Sequence, residues 1–160
     1  MPSVRTIGRI LERRGALDAW RRIRRPRPPG WYLPEVGTGR AELDSFDIVE
    51  GLTLTGGLRP EVLNVVSSHG GLPGSWPQPL VTAKTAVEAF IEHWREFGRP
   101  AYAQFDNNTI FQGGHHGQDA LGHVVRTCVR LDVFPVFAPP QESGFQAAIE
   151  NVNGRWQAKV

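Results

Sequence analysis

The apolar residues of this chain change their spacing along its length, and that change limits the folds open to it. Residues 41–49 and 61–67 carry short runs rich in apolar and β-branched residues and read as strands. Gly51 and Gly56-Gly57 punctuate a meander between them, and the Gly- and Pro-rich stretch 70–79 reads as loop. A helical period then takes over. In residues 85–97, Val87, Phe90, Ile91 and Trp94 fall on one face, Thr85 and Glu88 form a capping-box pattern, and Gly98-Arg99-Pro100 stops the element. Residues 101–105 form a further strand. Residues 118–131 form a second helix, with Leu121, Val124, Val125, Cys128 and Val129 on one face. Residues 133–137 read as a short strand that Pro135 assigns to a sheet edge. Residues 144–154 open a last helix. Strands first, then helices and strands in alternation, predict an α/β fold: a mixed sheet flanked by helices.

The N-terminal segment differs in character. Residues 3–15 read as a short helix, with Ile7, Ile10 and Leu11 on one face and Gly15 as its stop. Residues 21–34 hold four prolines among arginines and read as an extended linker. Residues 1–30 contain nine arginines against Glu12 and Asp18, a net of +7, so the remainder of a chain totalling +2 carries −5. A basic arm beside an acidic core suits phosphate contact by the arm, through Arg5, Arg9, Arg13 and Arg14. A solvated basic linker is the alternative. The expected organisation is a basic arm at 1–39 and a core at 40–160. The single cysteine, Cys128, excludes an internal disulfide, fits a reducing compartment, and on the apolar face of its helix is most simply a core residue. No apolar run reaches membrane-spanning length.

Three carboxylates stand in settings that suit a metal site. Asp44 lies in the first strand, Asp106 ends the strand at 101–105 ahead of the Asn107-Asn108 turn, and Glu150 sits on the last helix. Hard oxygen ligands of this kind suit Mg²⁺ or Mn²⁺. Two such ions about 3.5–4 Å apart activate water and stabilise a leaving oxygen in phosphoryl transfer. Asp47 competes with Asp44. The two are three residues apart on a strand and project to opposite faces, so only one shares a face with Asp106. Asn107 and Asn153 could contact DNA or hold the carboxylates, and Arg155 and Lys159, on the Glu150 helix, are candidates for phosphate contact. His115, His116 and His123 lack a cysteine partner, and adjacent histidines in a Gly-rich loop face solvent more often than they bind zinc.

The motifs around these carboxylates resemble those of the integrase and transposase superfamily. Residues 43–51 (LDSFDIVEG) are similar to its first-strand motif, residues 105–111 (FDNNTIF) to its Asp-Asn-Gly-x-x-Phe motif, and residues 139–154 (PPQESGFQAAIENVNG) to the Pro-rich loop and Glu-bearing helix. Asn108 stands where the family has Gly. The interval from Asp106 to Glu150 is longer than in many members, with the extra length assigned to a Gly-rich loop at 112–118. Residues 67–70 (SSHG) lack the Asp that many relatives carry there. Residues 3–11 resemble the last helix of a helix-turn-helix module.

The resemblance implies a ribonuclease H-like catalytic core of insertion-sequence transposase type, cut short at its C-terminus, in a bacterial cytoplasm and near the nucleoid. It implies two Mg²⁺ or Mn²⁺ ions held by Asp44, Asp106 and Glu150. The expected activity is nicking of DNA at element ends and strand transfer into target DNA, by a homo-oligomer assembled on DNA. The alternatives are an inactive truncated fragment that binds DNA or a full-length partner, and a plain nuclease of the same fold.

Overall fold

The computed structural model describes residues 4–15, 33–113, 121–139 and 146–157. The chain divides into two compact units, Met1–Tyr32 and Leu33–Val160. In the first, helix α1 spans Val4–Arg13, close to the helix expected at 3–15. Its Ile10 and Leu11 are exposed. The linker at 21–34, except for its last two residues, lies outside the described residues.

The second unit is built on one five-stranded sheet. Its strands are β1 (Leu43–Val49), β2 (Glu61–Ser67), β3 (Pro73–Gln78), β4 (Tyr102–Phe105) and β5 (Phe134–Phe137), in the order β3-β2-β1-β4-β5. β1, β2 and β3 pair antiparallel as consecutive neighbours; β4 and β5 add parallel to the other side of β1. Parallel addition needs crossovers, and helices supply them. Helix α3 (Ala83–Phe97) connects β3 to β4, and α4 (Thr109–Gln112) and α5 (His123–Arg130) lie between β4 and β5. Helix α6 (Ala147–Gln157) follows β5 and packs against β1 and β2. Helix α2 (Pro34–Gly37) precedes the sheet. His69 Nε2 pairs with Val36 O at 2.9 Å, so residues 33–39, read from the sequence as part of the arm, belong with the sheet unit.

The core lies between the sheet and α3. Phe46 of β1, Phe90 and Trp94 of α3, Phe105 of β4 and Phe111 of α4 form a continuous aromatic cluster, with Phe46 and Phe90 centroids 4.2 Å apart. Burying five aromatic rings gives the unit much of its apolar stabilisation. Phe46 also fixes the strand's facing: residues of β1 at even separation from it meet α3, and those at odd separation meet the other side.

Several expectations shift in detail. The stretch 70–79, read as loop, contains β3. Its prolines signal a break, yet Pro73 and Pro77 are tolerated because β3 is an edge strand whose outer side has no ladder partner among the described residues. The capping box of α3 is Thr82 with Thr85, one turn earlier than Thr85 with Glu88, because the helix starts at Ala83. Helix α5 begins at His123. It buries Val124 and Cys128 and leaves Leu121 and Val129 more than half exposed. Only the 124/128 row of its apolar residues meets the core. Cys128 is a buried core residue, and burial pushes its thiol up to about 12. Asn108 needs no special backbone freedom: its φ is −63°, and its side chain accepts from Ile110 N as the N-cap of α4. Gly113, at the start of the Gly-rich loop expected at 112–118, comes close to Gly122 beyond it, since a Cβ on Gly113 would lie 2.6 Å from the Cα of Gly122. Residues 114–120 between them, including His115 and His116, lie outside the described residues.

Candidate functional site: a carboxylate cluster on the α6 face

The two aspartates of β1 occupy opposite sides of the sheet, as their odd spacing requires. Asp44 shares the α3 side with Phe46 and is 1% exposed. Its Oδ1 accepts from Ser67 Oγ at 2.7 Å and its Oδ2 from Trp94 Nε1 at 3.0 Å. His93 Nε2 stands 3.6 Å from Oδ2, beyond hydrogen-bond reach, and neither ring nitrogen of His93 has a hydrogen-bond partner among the described residues. Burial raises Asp44 above the ordinary aspartate value, against the lowering effects of Ser67, His93 and Trp94. Burial lowers His93, against the raising effect of Asp44. Asp44 thus ties β1 to β2 and α3 inside the core, away from solvent.

Asp47 lies on the face of the sheet to which the strand register leads Asp106. β1 and β4 pair in parallel with Asp44 opposite Ala103 and Ser45 opposite Gln104. Continuing that register by two residues sets Asp47 beside Asp106. Neighbours in register on parallel strands share a face, and Ser45 Oγ and Gln104 Oε1, two residues earlier on that face, lie 3.5 Å apart. The sequence carries a trace of this placement: Phe46-Asp47 and Phe105-Asp106 are both Phe-Asp pairs, and both phenylalanines are fully buried on the α3 side. Each following aspartate therefore faces away from that core. Asp44 has no such partner, because its register neighbour Ala103 is a buried core residue.

The electrostatics agree with the register. Asp47 is raised from 3.8 to about 6, first by burial, then by the charge of Asp106, with a further contribution from Glu150. Hydrogen bonds from Ile48 N at 2.9 Å and Asn153 Nδ2 at 2.6 Å oppose the rise. Burial also raises Asp106, whose Oδ1 accepts from Asn108 N at 3.1 Å. Asn107 braces the turn after Asp106 by donating to Ala138 O at 2.7 Å and accepting from Gln112 Nε2 at 2.7 Å. Glu150 is exposed in the first turn of α6. An open cleft of about 330 Å³ runs between β1 and α6, with Asp47 and Glu50 on one wall and Glu150, Asn153 and Gln157 on the other.

Helix α6 reaches this position through both apolar and polar contacts. Ile149 is fully buried, and Asn153, one turn later, is 7% exposed. Asn153 Oδ1 accepts from Asn64 Nδ2 of β2 at 2.7 Å while its own Nδ2 donates to Asp47. Glu150 and Asn153 are three residues apart and so stand near each other on the helix surface. Asn153 was expected either to contact DNA or to hold the carboxylates, and the structure places it on Asp47. Asn64 has a signal in the sequence, an asparagine amid Val62, Leu63, Val65 and Val66.

Asp47, Asp106 and Glu150 form an electrostatic cluster of hard oxygen donors, the donor type that suits Mg²⁺ or Mn²⁺. Among the described residues, no group of three or more His, Cys, Asp or Glu side chains is drawn together tightly enough to hold a metal ion. Arg9, Arg13, Arg14 and Arg155 are exposed. The side chain of Arg5 and the whole of Lys159 lie outside the description. No helix among the described residues is long and apolar enough to cross a membrane.

The architecture has solved counterparts. The HTLV-2 integrase catalytic core domain in complex with magnesium matches in its trimeric form at TM-score 0.55 and 13% identity, and in its dimeric form at 0.53 and 14%. In both, the match covers 70% of this chain and 64% of that one. The fold is that of the integrase catalytic cores. The simian T-cell lymphotropic virus intasome, in complex with PP2A regulatory subunit B56 gamma, matches at TM-score 0.57 and 16% identity, over 70% of this chain and 37% of that one. The chain thus spans only part of each protein it resembles. No protein-family model matches the sequence, and no curated protein does. At these identities the likeness is one of fold.

Proposed function

We propose that this chain is the catalytic core of a transposase or integrase that nicks DNA and joins its 3′ end to target DNA, with Asp47, Asp106 and Glu150 as its carboxylates. Asp47 takes the place expected for Asp44. The observation that carries this reading is the shared face: the parallel register of β1 and β4 leads Asp47 to Asp106, and the charges of Asp106 and Glu150 add to burial in raising Asp47 to about 6. Carboxylates left repelling one another in this way gain most when a divalent cation joins them.

Two Mg²⁺ or Mn²⁺ ions, when bound, supply Lewis-acid stabilisation and lower the pKa of water. The chain's own residues do the rest. The two strands present Asp47 and Asp106 side by side, Asn153 holds one oxygen of Asp47, and α6 carries Glu150 into the cleft that Asp47 lines. The cleft beside β1 leaves this face open to a phosphodiester, whereas Asp44 has no such access. Arg5, Arg9, Arg13 and Arg14 of the arm, with Arg155 and Lys159 of the last helix, contact DNA phosphates in this reading. An insertion-sequence origin, element ends and target as the two DNA partners, a homo-oligomer on DNA and a bacterial nucleoid setting belong to the same proposal.

One observation favours a second reading. The carboxylates are not drawn to ligation distance, which suits a catalytically inactive fragment that binds DNA or a full-length partner. Mn²⁺-dependent nicking of a labelled duplex separates the two. Activity that disappears in both Asp47→Asn and Asp106→Asn supports the enzyme. A folded wild-type chain that neither nicks nor binds Mn²⁺ supports the fragment.

A further inference from the structure

The hydrogen bond on Asp47 is the end of a longer chain of polar contacts. Ser75 Oγ of β3 donates to Asn64 Oδ1 of β2 at 2.6 Å. Asn64 Nδ2 donates to Asn153 Oδ1 of α6 at 2.7 Å. Asn153 Nδ2 donates to Asp47 Oδ2 of β1 at 2.6 Å. Asn64 is fully buried and its amide is engaged at both ends. The relay crosses three strands and the helix that bears Glu150.

Its direction follows from chemistry at one end. An ionised carboxylate only accepts, so Asn153 must turn its Nδ2 to Asp47 and its Oδ1 to Asn64. Asn64 must then present Nδ2 to Asn153 and Oδ1 to Ser75, whose hydroxyl must donate. An asparagine amide is nearly symmetric in shape, so packing alone does not choose between its two orientations. A run of such bonds in a buried setting is mutually reinforcing.

We infer that Asn64, oriented by Ser75, is a positioning residue for the carboxylate cluster: it fixes the Asn153 amide so that Asn153 holds Asp47 and keeps Glu150 in the cleft that Asp47 lines. This rests on the metal-dependent reading above. Asn64 stands opposite Asp47 in the β1–β2 register and Ser75 opposite Asn64 in the β2–β3 register, but the relay's hydrogen bond to Asp47 comes from Asn153, so both act through Asn153. An aspartate at position 64 offers only acceptors, so Asn153 would turn its Nδ2 toward residue 64 and set its Oδ1 against Asp47. The clamp would become a repulsion. Alanine at position 75 removes the donor that fixes Asn64 without adding charge, and threonine at the same position keeps the hydroxyl.

The test uses the full chain and its Asn64→Asp, Ser75→Ala and Ser75→Thr variants, with two readouts besides melting. One is the Mn²⁺ dissociation constant by electron paramagnetic resonance. The other is the NMR signal of the Asn153 side-chain amide, expected downfield and slow to exchange where it donates to Asp47. Asn64→Asp should weaken Mn²⁺ binding about tenfold, equivalent to about 1.4 kcal/mol, and displace the Asn153 signal. Ser75→Ala should weaken binding about twofold to threefold, and Ser75→Thr should restore both readouts. If Asn64→Asp does not fold, the Ser75 pair decides. Variants that melt lower while the Asn153 signal and the Mn²⁺ affinity stay at wild-type values would make the relay structural and overturn the inference. A wild-type chain that binds no Mn²⁺ would remove the metal reading, and the Asn153 signal would then decide the relay by itself.

Discussion

Asp44 and Asp47 are the same residue type, three positions apart on one strand, and the protein treats them in opposite ways. Asp44 is sealed against α3 and accepts hydrogen bonds from Ser67 and Trp94. Asp47 opens onto a cleft that Glu150 also lines, and it feels the charges of Asp106 and Glu150. Burial raises both above the ordinary value, and hydrogen-bond donors oppose the rise in both; for Asp44 the donors and His93 outrank the nearby Glu42, whereas for Asp47 the charge of Asp106 comes next after burial. The contrast separates a carboxylate spent on the fold from carboxylates left in electrostatic tension. Such tension costs stability, and in a cleft it makes a carboxylate a candidate functional group.

The largest expected effect tests this contrast through activity. Asp47→Asn and Asp106→Asn should each lower Mn²⁺-dependent nicking by about a thousandfold or more, a loss of at least about 4 kcal/mol in transition-state stabilisation. Both should remain folded by circular dichroism. Wild-type nicking rates in Asp47→Asn would return the ligand role to Asp44 and break the contrast.

The next effect falls on stability and should reverse the order of the two residues. Asp44→Leu leaves Trp94 Nε1 and Ser67 Oγ without their acceptor in the core and should cost about 2–4 kcal/mol in chemical denaturation. Asp47→Asn should cost little by the same measure, because it also removes repulsion.

A pH series sharpens the comparison further. Asp47 is raised in the folded state from 3.8 to about 6. Its protonated form therefore favours folding: the contribution is fully present below about 3.8 and is lost as pH rises through about 6. Subtracting the Asp47→Asn melting curve from the wild-type curve should reveal this decline across that window. Stability that rises with pH in the difference would contradict the electrostatic cluster. Mn²⁺ should reverse the loss above about pH 6.

The smallest effect concerns the turn that presents Asp106. Asn108→Ala removes the N-cap of α4 and should cost about 1 kcal/mol. The hold on Asp106 is a donation from the backbone N of residue 108, so Mn²⁺ affinity should be unchanged. A matching loss of affinity would show that the cap and the carboxylate are one unit.

The sequence by itself determined the kinds of element and most of their order. The change from short apolar, β-branched runs to a helical period marked α3 and the strands on either side of it. Only β3, whose prolines are tolerated at an edge, and the four-residue α2 and α4 escaped it. The sequence also required Asp44 and Asp47 to face opposite ways, because strand side chains alternate. It did not say which of the two shares a face with Asp106. That choice depends on parallel register across more than fifty residues, which sets Ala103 against Asp44 and leads Asp106 to Asp47, and on the face chosen by α6. Local periodicity reports which side of a strand is apolar. Here the strand is buried on both sides, with Phe46 packed under α3 and Asp47 held under α6, so only the assembled sheet distinguishes the structural aspartate from the one in the cluster.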